Sequence, residues 1–149
     1  MFRGVNQISL DSKGRMAMPT KYRKEILDCC SGQLVITVDR DMCLLIYPLE
    51  EWEEIERKLA KLPSLNKAAR RLQRLLIGHA TEVEMDAHGR ILIPPPLREF
   101  ANFEKRVVLI GQGHKFELWD EQRWEAERQS WLTDDNDEEL PIELESISF

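Results

Sequence analysis

No stretch of this sequence is apolar enough to span a membrane. The longest run without a charged residue, Cys29 to Val38, has 10 residues, whereas a transmembrane helix needs about 20. The segment from Met1 to Gln7 also lacks the apolar core of a signal peptide. We therefore expect a cytoplasmic protein that makes no contact with a membrane.

Cysteine and histidine are scarce, which argues against disulfides and metal sites. The 149 residues include 3 of each, and Cys29 and Cys30 are adjacent. Their positions give no zinc-ligand spacing. We therefore predict no metal and no cofactor, and we interpret Cys29-Cys30 as filling a helix end. A chain of this length buries enough apolar surface to fold without disulfides or bound metals.

Catalytic patterns are absent as well. Gly111-Gln-Gly113 has neither the third glycine nor the acidic partner of a dinucleotide site, and it is typical of a hairpin turn. No serine or cysteine has a recognisable base near it. Carboxylates cluster only near the C-terminus, where nothing would hold an acid–base pair. We predict that the protein is not an enzyme.

Negative charge predominates, but it is unevenly distributed. The net charge is −6, yet the segment 132–149 contains 7 of the 27 acidic residues and no basic residue, so we interpret it as an acidic, mobile tail. Residues 1–24 contain 6 basic residues and 1 acidic residue, and a second basic run extends from Arg57 to Arg74. These two basic patches are compatible with a nucleic-acid partner, which the net charge alone argues against.

The chain contains an internal repeat. The segment from Ile8 to Arg23 returns as Val83 to Arg98, at an offset of 75 residues, and both copies contain Asp-x-x-Gly-Arg followed by a proline. After a deletion of three residues the similarity continues at an offset of 72, so that Val35 matches Val107. The chain is therefore two copies of one unit.

Each copy predicts the same order of elements: strand, strand, helix, strand, strand, longer helix. In the first copy Ile8 and Leu10 alternate with polar residues, and Asp11-Ser-Lys-Gly14 has the Asp and Gly of a type I turn. We therefore expect a hairpin in which Gly14, like Gly89 in the second copy, adopts a positive φ. Thr20 is expected to cap the following helix.

Further strands and apolar helix positions follow from the same periodicity. Strand pairs are expected at 34–38 with 43–47 and at 106–110 with 115–119. The helix positions expected to face the core include Tyr22, Ile26, Leu27, Trp52, Ile55, Leu59, Leu65, Leu72, Leu97 and Phe100.

A unit of about 55 residues buries too little apolar surface to be stable alone. We therefore predict a mainly β fold with helices (α+β), in which two units interleave their strands into one small barrel about a pseudo-twofold axis. The predicted boundaries are 5–60 for the first repeat, 61–79 for a linking helix, 80–131 for the second repeat and 132–149 for the tail.

These motifs together resemble the MraZ family of bacterial transcriptional regulators, whose halves are similar to the DNA-binding domain of the AbrB transition-state regulators. The resemblance rests on the doubled Asp-x-x-Gly-Arg turn, the Pro-x-x-x-Arg helix starts, the repeat spacing and the linker residues Arg70-Arg71-Leu72-Gln73-Arg74. It extends from Met1 to about Trp131.

The resemblance implies two AbrB-like swapped-hairpin units and a nucleoid-associated repressor. Such a protein assembles into a closed ring, a homo-oligomer. Its implied partner is double-stranded DNA, at short direct repeats in the promoter of the division and cell-wall gene cluster.

The candidate DNA contacts lie in and around the two turns. In the returning strand Met16 and Met18 alternate with Arg15, so an apolar core on one face directs Arg15 outward. A guanidinium there can donate two hydrogen bonds to guanine, at O6 and N7, while its basic neighbours bind phosphates. The candidate contacts are Arg15, Lys13, Arg3, Lys21, Arg90 and His88, and the candidate turn-forming residues are Asp11, Gly14, Asp86 and Gly89.

The second turn is expected to contribute less to DNA binding, because His88 stands where the first turn has Lys13. Pro95-Pro96, in place of Thr20-Lys21, also leaves its surroundings less basic.

Several of these residues have a second interpretation. Arg15 and Arg90 would only fix the hairpins if each paired with the aspartate of its own turn. Arg23 and Arg98 are either basic neighbours of the site or partners of helix carbonyls or acids. The run from Arg57 to Arg74 is either a second DNA surface or a solvated helix face that packs against acids of the next subunit.

Two other classes of protein compete with a DNA-binding regulator. One is an AbrB-like antitoxin or interaction module whose acidic tail binds a partner protein, although those antitoxins contain a single copy of the turn. The other is an enzyme on a related interleaved barrel, for which the sequence offers no nucleophile.

Overall fold

The structure is a computed structural model that describes residues 1–133 and 141–148. Residues 134–140 and 149 of the predicted mobile tail therefore lie outside the described residues. Within the described part of the tail, Ile142–Ser146 forms a short 3₁₀ helix.

The predicted order of elements is confirmed in both halves. The first half contains β1 (Phe2–Ser9), β2 (Arg15–Ala17), α1 (Thr20–Cys30), β3 (Gln33–Val38), β4 (Leu44–Pro48) and α2 (Leu49–Ala60). The connection contains α3 (Lys67–Leu72) and a π-helical turn (Gln73–Ile77), so residues 61–66 are not helical. The second half contains β5 (Thr81–Glu84), β6 (Arg90–Leu92), α4 (Pro95–Phe100), β7 (Arg106–Gly113), β8 (Phe116–Asp120) and α5 (Glu121–Thr133).

The strands form one antiparallel sheet and one separate ribbon. The sheet has six strands in the order β1-β7-β8-β4-β3-β5, and β2 pairs with β6 in the two-stranded ribbon. The expected strand pairs β3–β4 and β7–β8 are confirmed.

The two predicted hairpins are wrong as strand pairs. A tight turn connects β1 to β2, but β1 pairs with β7 and β2 pairs with β6, while β5 pairs with β3. Every one of these partners lies in the other half of the chain. An isolated two-stranded hairpin is marginal in water, whereas exchange between the halves lets one core bury the apolar faces of both. The interleaved α+β fold is therefore confirmed, and the exchange is its basis.

Two residue pairs mark the pseudo-twofold axis. In the ribbon Met16 lies opposite Ile91, its own counterpart at the offset of 75 residues. In the sheet Leu45 lies opposite Glu117, its counterpart at the offset of 72. A residue that faces its own counterpart lies on the symmetry axis, so the axis passes through the middle of the ribbon and through the centre of the sheet.

The match between the third strands of the two units needs a correction of one residue. Leu34 and Val107 both belong to the main core, whereas Val35 and Val108 face the opposite side of the sheet. Leu34 therefore corresponds to Val107, and the predicted match of Val35 with Val107 is wrong. A shift of one residue moves every side chain of a strand to the other face, so burial decides the correspondence.

The sheet is covered on both faces. One face packs against the ribbon, α1 and α4, and this main core includes the fully buried Met16, Met18, Ile26 and Ile93. The other face carries two smaller clusters, in which Trp52 of α2 lies over β3 and β4, and Trp124 of α5 packs with Trp119 of β8.

Some predicted helix positions are wrong. The residue before α1 is Pro19, and no side chain caps this helix, so Thr20 is its first residue and not its cap. Leu27 is 53% exposed because the buried side of α1 is a narrow stripe through Tyr22 and Ile26. Leu65 is 92% exposed because it precedes the start of α3.

In the part of the chain that the structure describes, no helix is both long enough and apolar enough to cross a bilayer.

Replacing Met16 by Ala is expected to lower the free energy of unfolding by roughly 2 to 5 kcal/mol, because this fully buried side chain lies on the axis where both units meet. Ala17→Ser, on the exposed face of the same strand, is the matched control and is expected to change stability by less than about 0.5 kcal/mol. Urea denaturation measures both. Equal midpoints for Met16→Ala and the wild-type chain would contradict a central role for the ribbon.

Candidate nucleic-acid interface

The first loop, Asp11–Arg15, is organised by the carboxylate of Asp11. Its Oδ1 accepts the backbone N–H groups of Lys13 and Arg15, both at 2.9 Å, and its Oδ2 accepts Arg15 Nε at 2.7 Å. The Gly14 N–H donates to the Asp11 carbonyl at 3.0 Å, as in a type I turn. Gly14 has a φ of +82°, which L side chains rarely adopt.

The second loop, Asp86–Arg90, repeats this arrangement. Asp86 Oδ1 accepts the N–H groups of His88 and Arg90 at 2.9 Å, and Oδ2 accepts Arg90 Nε at 3.1 Å. Gly89 has a φ of +76° and donates to the Asp86 carbonyl at 3.0 Å. The same side-chain types at the same spacing therefore build the same loop twice.

Both aspartates are held in their charged form. The backbone N–H of Arg15 is the main cause that lowers the pKa of Asp11 from 3.8 to about 2, and the Arg15 side chain adds to it. The pKa of Asp86 is lowered as well, first by the backbone N–H of Arg90. Hydrogen bonds that the carboxylate accepts favour ionisation, so each loop keeps an anionic centre at neutral pH.

The ribbon brings the two loop arginines onto one exposed face. In the register Arg15 lies opposite Leu92, and Ala17 lies opposite Arg90. Met16 and Ile91 face the core, so alternation puts these four neighbours on the solvent side. Arg15 and Arg90 are diagonal neighbours, with Cα atoms roughly 7 to 8 Å apart, and Lys13 and His88 project from loops at opposite ends of the ribbon.

Arg3 and Lys21 do not join this face. Arg3 lies near the start of β1, opposite Gln112, and the strand then runs six further residues before the first loop begins near Leu10. Lys21 Nζ lies 4.9 Å from the centre of the Tyr22 ring, and the Tyr22 hydroxyl donates to the Arg3 carbonyl at 2.5 Å. These two basic residues form a separate cluster where β1 meets α1.

Arg23 and Arg98 contact the loops, which the sequence did not reveal. Arg23 Nε donates to the Met18 carbonyl at 2.8 Å, and Arg98 Nε donates to the Ile93 carbonyl at 3.0 Å. Their partners are carbonyls at strand ends, and neither helix carbonyls nor acids. Each guanidinium also lies against the glycine of the opposite unit's loop. The sequence did indicate that Arg23 and Arg98 are equivalent, because they are separated by the repeat offset of 75 residues. Only the exchange of strands shows which loop each arginine contacts.

One group of side chains has donor atoms close enough together to hold a cation. Within residues 1–133 and 141–148, the ligand atoms of Asp39, Cys43 and Glu117 all lie within 4.8 Å of one another. Each of the three side chains already has a hydrogen-bonding partner. Cys43 Sγ contacts Asp39 Oδ2 at 3.8 Å, and Trp119 Nε1 donates to Glu117 Oε1 at 3.0 Å. Burial raises the pKa of Glu117, and Asp39 adds to the rise.

Two smaller predictions about local structure have different outcomes. Cys29 and Cys30 do end α1, and Cys30 Sγ bonds to the Ile26 carbonyl at 3.1 Å.

The turn predicted at Gly111-Gln-Gly113 begins later, because Gly111 is still paired with Gly4 within the sheet. Gln112 N–H bonds to the Lys115 carbonyl at 2.9 Å, so the turn spans Gln112 to Lys115.

The basic run of the connection lies at the surface. Lys67, Arg71 and Arg74 are exposed, and Arg70 Nη1 bonds to the Ser64 carbonyl at 2.9 Å.

Comparison with known proteins identifies the family. A family model described as "MraZ protein, putative antitoxin-like" matches residues 1–75 and 76–139. A protein named transcriptional regulator MraZ from Halorhodospira halophila is 62% identical over an alignment that covers all of both chains. Proteins of the same name from Methylococcus capsulatus and Thioalkalivibrio sulfidiphilus are 60% and 57% identical, again over the full length of both chains. The chain belongs to the MraZ family.

Membership of the MraZ family agrees with the two-unit fold, since the family match itself falls into two parts that meet between residues 75 and 76. The MraZ relatives are named as regulators of transcription, which is a non-enzymatic role.

The aspartates of the two loops should give the stability of this protein a specific dependence on pH. Because the pKa of Asp11 is lowered from 3.8 to about 2 on folding, its contribution is complete above 3.8 and is lost as the pH falls towards 2. Asp86 acts in the same direction. A double variant, Asp11→Asn with Asp86→Asn, retains one side-chain oxygen as a hydrogen-bond acceptor in each loop but cannot titrate.

We therefore expect the wild-type chain to lose stability relative to the double variant in this acidic interval. Urea denaturation at a series of pH values measures the difference. A difference that stays constant from neutral pH down to about 2 would contradict a folded-state pKa below 3.8.

Proposed function

We propose that this chain is a sequence-specific DNA-binding regulator of transcription, a repressor, which reads DNA with the exposed face of the ribbon. The observation that carries the proposal is the placement of Arg15 and Arg90 as symmetry-related neighbours on that face. Base readout by a two-stranded ribbon needs hydrogen-bonding side chains on the side away from the core, and the alternation with Met16 and Ile91 puts the two arginines there.

The dimensions of the ribbon suit a major groove. Neighbouring strands lie about 4.8 Å apart, and the major groove of B-DNA is about 12 Å wide. The ribbon can therefore lie in the groove with its exposed face, and both arginines, directed at the base edges.

The pairing of Arg15 with Asp11 supports this reading and does not compete with it. Asp11 binds Arg15 through Nε, and within the described residues the two Nη groups of Arg15 make no hydrogen bond. Those Nη groups can donate a pair of hydrogen bonds to guanine O6 and N7. The carboxylate fixes the guanidinium before DNA arrives, which lowers the entropy lost on binding.

The remaining candidate residues serve the phosphate backbone in this proposal. Lys13 is exposed beside Arg15 and supplies a point charge for a phosphate. His88 takes the same place in the second loop. Arg3 and Lys21 form a separate basic cluster, so we propose them as phosphate contacts outside the ribbon.

The target and assembly in this proposal come from the family resemblance. The repeats 5–60 and 80–131, joined through 61–79, act as paired DNA-reading halves in a ring of identical subunits. The ring binds short direct repeats in the promoter of the division and cell-wall gene cluster, and the protein is nucleoid-associated in the cytoplasm. Large apolar side chains that stay exposed in the single chain, including Leu65, Trp131 and Leu132, support further assembly.

A second candidate function is supported by one observation, the antitoxin-like description of the family. An antitoxin would bind a partner protein through its acidic tail and would need the ribbon only for autoregulation. Co-purification with a stoichiometric protein partner, lost on deletion of residues 132–149, would favour this function.

Arg15→Ala is expected to abolish specific binding to a promoter fragment with several direct repeats. Each lost base contact costs roughly 1 to 3 kcal/mol, and the loss is multiplied over the repeats that a ring engages together. Lys13→Ala is expected to weaken binding to repeat and scrambled fragments alike and to reduce the salt dependence. Arg90→Ala is expected to be milder than Arg15→Ala. Fluorescence anisotropy at several salt concentrations measures all three.

Arg128→Ala is the control for loss of one positive charge, because Arg128 lies on α5 beside Glu125. Circular dichroism verifies the fold of each variant. If folded Arg15→Ala keeps the wild-type preference for repeat over scrambled DNA, the assignment of Arg15 as a base contact is wrong.

The assembly is tested separately. Sedimentation velocity at micromolar concentration and without DNA is expected to give a mass several times the 17.5 kDa of one chain, because a closed ring covers the exposed apolar side chains. A single boundary at the mass of the monomer would exclude the ring.

A further inference from the structure

We propose that Arg23 and Arg98 are positioning residues that hold each DNA-reading loop from the opposite unit and thereby fix Arg15 relative to Arg90. The inference rests on the proposed function for its consequence, but its structural part can be tested without DNA. It is carried by two sets of contacts that are related by the pseudo-twofold axis.

The first set joins Arg98 of the second unit to the first loop. The guanidinium lies so close to Gly14 that a Cβ atom there would come within 2.6 Å of Arg98 Nε. Ile93 connects the two residues: its carbonyl accepts Arg98 Nε at 3.0 Å, and its N–H donates to the Gly14 carbonyl at 3.0 Å. One buried residue therefore holds both the arginine and the loop.

The second set joins Arg23 of the first unit to the second loop. A Cβ atom at Gly89 would come within 2.7 Å of Arg23 Cδ. Met18 is the connecting residue here, because its carbonyl accepts Arg23 Nε at 2.8 Å and its N–H donates to the Gly89 carbonyl at 2.8 Å. Each member of this set is separated from its counterpart in the first set by 75 residues, so the arrangement occurs twice on non-identical sequence.

The loops need an external support because their own bonds are local. Among residues 1–133 and 141–148, the Asp11 carboxylate bonds only within its own loop. The strands on either side of the loop, β1 and β2, pair with β7 and β6 and not with each other. The contact of Gly14 with Ile93 and Arg98 is what ties the tip to the opposite unit. Because the reciprocal contact holds the second loop, the two arginines of the ribbon face keep a fixed separation.

This arrangement requires both glycine and arginine. The positive φ values of Gly14 and Gly89 already disfavour other residues, and a side chain at either position would also displace the guanidinium. A planar guanidinium can lie flat on a peptide while Nε donates in its own plane, whereas the ammonium group of lysine has no such plane. Lysine at position 98 would keep the charge but lose the contact.

Hydrogen–deuterium exchange followed by mass spectrometry tests the crossed contacts in the full-length protein. Arg98→Ala is expected to speed exchange in peptides that cover the first loop, 11–15, more than in those that cover the second loop, 86–90. Arg23→Ala is expected to give the reverse pattern. Arg98→Lys and Arg23→Lys are expected to change the exchange rates in the same way as the corresponding alanine variants. If circular dichroism shows that an alanine variant does not fold, the lysine variant is used in its place.

Lys24→Ala is the matched control, because Lys24 is exposed next to Arg23 on α1 and its loss removes the same charge. It is expected to leave both loops unchanged. If Arg98→Ala loosens only its own unit, between residues 90 and 98, or loosens both loops equally, the crossed support does not exist and the inference is overturned.

DNA binding provides the second readout. Arg98→Ala and Arg23→Ala are expected to lower the ratio of affinity for repeat DNA over scrambled DNA roughly fivefold or more, the cost of at least one misplaced base contact. Lys24→Ala should leave the ratio unchanged. A crossed exchange pattern with an unchanged ratio would overturn the role in reading DNA. Absence of any repeat preference in the wild-type protein would instead contradict the proposed function and leave the crossed contacts standing.

Discussion

The pairing of β2 with β6 is the contact on which the rest of this structure depends. These strands contribute only three residues each, and Met16 of one lies opposite Ile91 of the other at the axis. Neither strand has a ladder partner in its own unit. The first strands of the two units are exchanged in the same way, so that β1 completes the second unit and β5 completes the first. A single core then serves both units, each of which is too small to be stable alone.

The candidate interface is a direct consequence of this exchange. Because Met16 and Ile91 must face the core, their neighbours Arg15 and Arg90 must face solvent, and the antiparallel register makes them diagonal neighbours. Each aspartate then neutralises part of the arginine's charge while it orients the guanidinium. The same five-residue loop therefore serves as a turn and as the support of a potential base contact.

The two units are alike in the core and differ outside it. The buried Met16 and Met18 correspond to the buried Ile91 and Ile93, whereas exposed positions differ. The first loop has Lys13 where the second has His88. Packing at a shared core constrains both copies equally, but surface positions are free to diverge. The functional asymmetry of the proposed interface thus resides in exposed residues and not in the fold.

The sequence by itself determined the elements, the doubled unit, the Asp-x-x-Gly-Arg loops and the outward direction of Arg15, because turn chemistry and strand alternation are local properties. It did not determine strand partners. The expected β1–β2 hairpin, the match of Val35 with Val107 and the buried position of Leu27 all failed, since each depends on which surface lies opposite. Only the tertiary structure brought Arg98 to Gly14 and Arg23 to Gly89. These contacts join residues 84 and 66 positions apart. They arise from how the two halves exchange strands, and no local pattern encodes that choice.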